Sequence, residues 1–292
     1  MDLREIDNAI DEIESVVLKL HSGFAPPDFV MLAGRTPSFR HGQRDDIVMS
    51  FLKCVRSVSL LHAARLLLCN GCYQEVGILS RCIGEAVEDV IFLSTPLGDK
   101  GAPSENQIRL TNEFFQEEFE DPARTLDTQK KRDRVSRDQV LAGIASIKGN
   151  GLNPSDAKAV QRLTHLGLSG YVHGAYPHIM ELFGCPSKNG APDPANGRYF
   201  MSGRMPAQRM EEMALQLSSD AERVAIATAI VTKRVGQADL TERMTVIVDR
   251  LAALTGSIPV ADLNKAMKAL RAKQAPTGSG KPPSGDVKLG ES

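Results

Sequence analysis

Charged side chains interrupt an otherwise apolar stretch of the chain, residues 73–93, and four of them are close together in helical projection. Read as a helix with about 100° between successive residues, this stretch has one broad apolar face and one arc that holds the four side chains. They are Arg81, Glu85, Glu88 and Asp89. Carboxylates exchange protons or bind cations, and a guanidinium group can hold a phosphate. The arc is therefore the first candidate for a functional site.

A second polar stripe lies much later in the chain, with the spacing i, i+3, i+7 and i+11 that forms one narrow line on a continuous helix. Its members are Arg162, His165, Ser169 and His173. We expect the two stripes to face each other across a polar groove between helices 73–94 and 155–173, with the carboxylates accepting from Arg162 and the imidazoles. A solvated surface or a satisfied structural network explains the same pattern and stays open.

Within this groove, Arg81, Glu85 and His173 are the candidates for catalysis. An imidazole titrates near neutral pH and can act as an acid or a base. Ser169 stands four residues before His173, the spacing of a nucleophile and its base on one helix, although any helical surface produces it. Binding without chemistry and enzymatic activity therefore both remain possible functions.

The same segments resemble a family of uncharacterised bacterial all-α proteins. The shared residues are Leu79-Ser80-Arg81 followed by Glu85, and later Ser169-Gly-Tyr-Val-His173-Gly174. The resemblance covers roughly residues 45–183 and implies a helical bundle with site residues Arg81, Glu85, Ser169 and His173, but it brings no established activity. This family is sometimes placed near the HEPN helical superfamily, which implies a ribonuclease or nucleotide-acting enzyme, in a stress or phage-defence system, as the alternative function.

Active HEPN ribonucleases carry an arginine four to six residues before a histidine. Two pairs in this chain have that order, Arg35 with His41 and Arg56 with His62. The first pair lies in a proline-rich connection, and a gap of six residues turns the second pair about 240° apart on a regular helix. Neither pair forms a convincing nuclease site.

The composition is that of a globular protein whose net charge is too small to create a strong electrostatic field. Hydrophobic residues make up 42% of the 292 residues, charged residues 24%, and the formal net charge is −1. Aromatic residues are 5% with no tryptophan, so nucleic-acid binding is possible but is not indicated by charge or by stacking residues. The charged, amphipathic opening predicts no leader, we expect no membrane span, and the odd number of cysteines, five, favours a reducing compartment. We expect a cytoplasmic protein, and a homodimer as its assembly.

Metal and cofactor motifs are weak. Cys69 and Cys72 form one Cys-x-x-Cys, but there is no second pair to complete a zinc site, so we expect small buried cysteines at a turn. A di-iron bundle needs Glu-x-x-His twice, and the chain has none. The sequence predicts neither a metal nor a cofactor.

Helical spacing of apolar residues predicts an all-α bundle built on a central antiparallel hairpin, residues 45–69 and 73–94, with Asn70-Gly71 ending the first helix. Residues 3–20, 104–120, 134–147, 155–173 and 178–183 are further predicted helices. We expect one domain, residues 1–273: an N-terminal helix and connection (1–43), a core bundle (44–183), a long loop (184–205) and C-terminal helices (206–273, with helices near 206–235, 240–254 and 260–273). Residues 274–292 lack an apolar pattern and are predicted to be a disordered tail.

Overall fold

The computed structural model describes the chain in nine segments. They are residues 3–32, 36–95, 97–98, 101–116, 134–146, 154–185, 187–188, 190–200 and 207–256. The helix expected at 260–273 and the tail predicted at 274–292 lie outside the described residues.

Helices dominate the described residues, and the prediction of an all-α bundle is confirmed. The α-helices are α1 (Leu3–His21), α2 (Asp46–Cys69), α3 (Tyr73–Ser94), α4 (Glu105–Phe115), α5 (Arg137–Ala145), α6 (Pro154–Val172), α7 (Tyr176–Met180), α8 (Ala207–Arg234) and α9 (Ala238–Thr255). Six short strands join them: β1 (Asp28–Leu32), β2 (Thr36–Arg40), β3 (Phe183–Gly184), β4 (Ser187–Lys188), β5 (Ala191–Pro192) and β6 (Arg198–Tyr199).

The central hairpin forms where the sequence predicts it. The Asp45 side chain caps α2 by accepting from the backbone N–H of Val48 at 2.9 Å. Gly71 follows α2 with a φ of 76°, a left-handed conformation that glycine adopts at little cost, and α3 begins two residues later. The turn is so short that α2 and α3 must run antiparallel and pack along their length.

The main hydrophobic core lies between this hairpin and helices α1, α8 and α9. Each helix contributes side chains at helical spacing, so that one stripe of each is withdrawn from water. Fully or almost fully buried members are Ile6, Ile10, Ile13, Leu61, Leu68, Ile83, Val87, Leu217, Val224, Met244 and Ile247. Among the described helices, α2 alone is long and apolar enough to cross a membrane; 56% of its most apolar window is buried inside the protein, and a core helix passes the same test.

A second, smaller core lies around Phe92 near the C-terminal end of α3, where α4 and α5 pack. Gln107 connects these elements, because its buried side-chain amide donates to the carbonyl oxygens of Phe92 and Thr95, each at 2.6 Å. Its side-chain oxygen also completes the capping box of α4 with Ser104. These bonds hold the first turn of α4 against the C-terminal end of α3.

Two predicted loops contain strands instead. Residues 23–42, expected to be an irregular connection, form the antiparallel hairpin β1–β2, in which Phe29 pairs with Phe39 and Met31 with Pro37. Proline is tolerated because a two-stranded hairpin leaves half of its backbone N–H groups unpaired. In the long loop after α7, β3 pairs with β6 and β4 with β5. All these strands are peripheral to the bundle, so the fold class does not change.

Candidate functional site

Two adjacent carboxylates of α3 lie buried at the centre of a charged network. Glu88 is 4% exposed and Asp89 is 2% exposed. The Nε2 atom of His165, on α6, lies 2.8 Å from both carboxylate oxygens of Glu88. Burying an ionised carboxylate is costly unless it is paired, so each of these two must keep its partners in the folded protein.

Asp89 has its partners on two other helices. The Nζ atom of Lys53, on α2, lies 2.8 Å from Oδ2 of Asp89, and Arg137, the first residue of α5, bonds to the other oxygen, Oδ1. Arg137 also donates to the backbone carbonyl of Glu85 at 3.2 Å. Burial lowers the pKa of Arg137, but Asp89, Glu85 and Glu88 together raise the pKa above its ordinary value. The guanidinium therefore stays charged and ties α5 to α3.

Arg81 and Glu85 join α3 to α6 in a different way. The Nε and Nη2 atoms of Arg81 lie 2.8 and 2.7 Å from Oε1 of Glu85, one helical turn away. Nη1 of Arg81 donates to the backbone carbonyl of His165 at 2.9 Å. These bonds, together with the His165–Glu88 contact, occupy the seam between α3 and α6 where the sequence predicts a polar groove.

The network continues to α8 through Arg223. Its Nη2 lies 3.6 Å from Oε1 of Glu88, and its Nη1 lies 3.9 Å from Oδ1 of Asp220, a fully buried carboxylate. Gly84 makes room for this guanidinium, since a Cβ at that position would lie 3.2 Å from Nη1 of Arg223. The path of charges thus crosses α3 from Lys53 on one side to Asp220 on the other.

Asp220 is the least satisfied group of this network. Its Oδ1 accepts from Nε2 of Gln216 at 3.1 Å, and its Oδ2 completes no hydrogen bond within the described residues, although the buried Ser80 hydroxyl lies near enough to affect it. Burial raises the pKa of Asp220 from 3.8 to about 6, against the lowering effects of Arg223, Ser80 and Gln216. The ionised form is therefore disfavoured by its position in the fold.

An open cleft of about 700 Å³ borders the network on the side of α2, α4 and α5, not on the side of α6. Glu85 and Asp89 belong to its wall, as do the cationic residues Lys53, Arg56, Arg134 and Arg137. The rest of the lining is Met49, Leu60, Cys82, Ala86, Leu110, Glu113, Phe114, Gln116 and Val135. The α3 carboxylates thus separate a closed seam at α6 from an accessible cleft at α4 and α5.

The structure brings together some of the predicted site residues and leaves others outside. Arg81, Glu85, Glu88, Asp89 and His165 form the contacts given above. Arg162 and His173 are exposed, and Ser169 is half-buried. Eight residues separate His165 from His173, which is about 12 Å along a helix, so His173 does not stand beside Arg81.

Sequence reasoning missed Lys53, Arg137, Asp220 and Arg223. A signal existed for Asp220, because it lies three residues after Leu217 and four before Val224, on the buried stripe of α8. An acidic residue in such a stripe requires a partner. Lys53 and Arg137 show no comparable pattern, since α2 and α5 are each partly exposed where these residues stand.

The cysteine and histidine motifs have other surroundings. Cys69 is exposed and Cys72 half-buried, so the prediction that this pair is buried is wrong; the turn after α2 faces solvent. His62 contacts Glu14 of α1 at 3.1 Å, whereas Arg56 lines the cleft, so these two residues do not converge. Asp11, Glu14 and His62 have possible metal-ligand atoms within 4.8 Å of one another. The same two helices, α1 and α2, are also joined by an ion pair between Asp7 Oδ1 and Arg65 Nε at 2.5 Å. The group therefore suits polar contacts between these two helices.

Comparison with protein-family models, with curated proteins and with solved structures finds no match to this chain. Its function must therefore be argued from the cleft and the network themselves.

Proposed function

We propose that the chain is a binding protein whose ligand is a small organic anion, received in the cleft between α2, α3, α4 and α5. The observation that carries this proposal is the group of four cationic side chains on one cleft of about 700 Å³, a volume typical of small-molecule sites. We call this cleft the anion cleft.

The lining of the anion cleft holds four cationic side chains and three carboxylates, those of Glu85, Asp89 and Glu113. Asp89 is shared by two cations, Lys53 and Arg137, and Glu85 is paired with Arg81, which is not part of the lining. Arg134 is 66% exposed and lies 3.7 Å from Glu113, a distance and exposure at which an ion pair contributes little. Arg56 is exposed. Arg56 and Arg134 can therefore exchange solvent for a carboxylate or phosphate group at little cost.

The apolar part of the lining supports an organic ligand over an inorganic ion. Phe114, which is 37% exposed, presents an aromatic ring to the anion cleft, and the buried side chains of Met49, Leu60, Leu110 and Val135 form the apolar wall behind it. Enclosing a hydrocarbon part of the ligand would remove apolar surface from water on both partners. A bare phosphate would leave these walls without a partner.

Binding is favoured over catalysis because the ionisable groups of the network are already engaged. His165 uses Nε2 on Glu88, and Asp89 is held from two sides. Such groups position the helices that form the anion cleft, and they do not need to exchange protons with a ligand. A cytoplasmic location and a homodimer remain part of the proposal as expected from the sequence.

Isothermal titration of the full chain tests the proposal, with citrate, glycerophosphate and naphthyl phosphate as probes. We expect binding of at least one probe at low ionic strength, with affinity falling as salt is added. Arg56→Ala and Arg134→Ala should each raise Kd about tenfold, the cost of losing one charge-assisted bond. Lys233→Ala, an exposed cation in the last turn of α8, is the matched control and should leave Kd unchanged.

The proposal is overturned if no probe binds the wild-type chain. It is also overturned if a probe binds and neither arginine variant changes its Kd, because the anion would then lie elsewhere. Circular dichroism of each variant shows whether the fold is retained.

A further inference from the structure

A second cavity adjoins the anion cleft on the far side of Phe114. Its volume is about 430 Å³, and three phenylalanine rings line it, those of Phe39, Phe114 and Phe115. The remaining lining residues are Pro27, Arg40, His41, Arg44 and Leu52. We call this cavity the phenylalanine pocket.

The phenylalanine pocket and the anion cleft are adjacent because the same helices, α2 and α4, line both. Phe114 belongs to the lining of both, and the consecutive residues Leu52 and Lys53 of α2 face the phenylalanine pocket and the anion cleft respectively. The Nζ atom of Lys53 lies 5.4 Å from the centre of the Phe114 ring, so the cation bound to Asp89 also sits against the dividing ring. A ligand of modest size can therefore contact both cavities.

The rings of the phenylalanine pocket are held in position and still accessible. Phe39 is 63% exposed and packs edge-on against Phe29, with ring centres 5.7 Å apart. Phe114 is 37% exposed and packs edge-on against Phe115, with ring centres 4.9 Å apart. Edge-on packing fixes each ring, and the exposed part of each side chain remains accessible to a ligand. Exposed phenylalanines around a concave space are unusual on a protein surface unless something covers them.

Resting on the proposed function of the anion cleft, we propose that its ligand is an aromatic anion, with its ring in the phenylalanine pocket and its acidic group in the anion cleft. The three phenylalanine rings provide the stacking surface for the ligand ring. Arg40 and Arg44, which also line the pocket, add to the positive potential that attracts the acidic group. Arg44 is exposed, and Arg40 is held over the hairpin by a bond of 2.6 Å to the Ser38 hydroxyl.

Three probes separate the contributions of ring and charge: naphthyl phosphate, glycerophosphate and naphthol. By titration against the full chain, naphthyl phosphate should bind at least about tenfold more tightly than either of the other two, since stacking and ion pairing act together. Phe39→Ala should raise the Kd of naphthyl phosphate about tenfold and leave that of glycerophosphate unchanged. Met31→Ala is the matched control, because Met31 is an exposed apolar residue of the same hairpin, is not part of the pocket lining and makes no ring contact with Phe39.

The outcomes distinguish this inference from the function on which it rests. If glycerophosphate and naphthyl phosphate bind equally tightly, the ring has no site and the inference fails, while the anion cleft stands. If Met31→Ala weakens binding as much as Phe39→Ala, the hairpin acts by its general integrity, and the phenylalanine pocket is rejected as a ring site. If neither phosphate binds, the proposed function is overturned, and the inference that rests on it is overturned with it.

Discussion

Replacement of Asp220 by asparagine should stabilise the protein at neutral pH. Asp220 is fully buried in α8, and burial raises the pKa of its carboxyl from 3.8 to about 6. Between these two values the folded protein binds a proton that the unfolded chain releases. The stability contributed by the protonated form is therefore fully present below pH 3.8 and is lost as the pH rises through about 6.

The size of the effect follows from the shift of about two pKa units, each of which corresponds to 1.36 kcal/mol. The ionised carboxylate thus costs up to about 3 kcal/mol at pH 7.5, and Asp220→Asn should recover most of it, since asparagine retains an oxygen for Gln216. The lost attraction to Arg223, which is 3.9 Å away, is already contained in the shifted pKa.

Urea unfolding followed by circular dichroism at several pH values between 4 and 7.5 measures this difference, because the chain has no tryptophan for fluorescence. The variant should be more stable than wild type at pH 7.5, and the gap should close as the pH falls below 6. Asp249→Asn, at an exposed position on α9, is the control and should show no such trend. A variant that is less stable at pH 7.5, or a gap that does not depend on pH, would refute the reasoning.

Two glycines of α6, the Glu88–His165 pair and the assembly of the chain allow three further tests. In α6, Gly167→Ala should stabilise the protein by about 1 kcal/mol because nothing lies within 4 Å of the added methyl group, whereas Gly170→Ala should destabilise it because the methyl group collides with the His178 ring; thermal melts compare the two. Glu88→Gln and His165→Gln should couple by about 1 kcal/mol in a double-mutant cycle, and Glu88→Gln with His173→Gln should be additive; a coupled second cycle would place His173 in the network. Light scattering should report twice the chain mass of 31.7 kDa, as expected for a homodimer, and a mass equal to that of one chain would reject the homodimer.

Periodicity and turn chemistry were enough to predict the central hairpin. The apolar residues of α2 and α3 recur at helical spacing, and Asn70-Gly71 ends α2 because glycine accepts the left-handed conformation there. The peripheral hairpin β1–β2 was missed because two prolines directly precede β1 and Pro37 lies within β2. In addition, Phe29 and Phe39 are both exposed, without the alternation that a half-buried strand shows.

The polar arc of α3 could also be predicted, because the spacing of Arg81, Glu85, Glu88 and Asp89 on one helix depends on helical geometry alone. Which helices meet that arc depends on how the helices rotate and cross, and local spacing does not contain this information. Tertiary packing brings Lys53, Arg137 and Arg223 to the buried carboxylates from three other helices. Tertiary packing also decides which side of α3 is closed. The seam with α6 is closed because α6 packs directly on α3. The anion cleft lies beside α4 and α5, where Gln107 in the first turn of α4 bonds to the C-terminal end of α3.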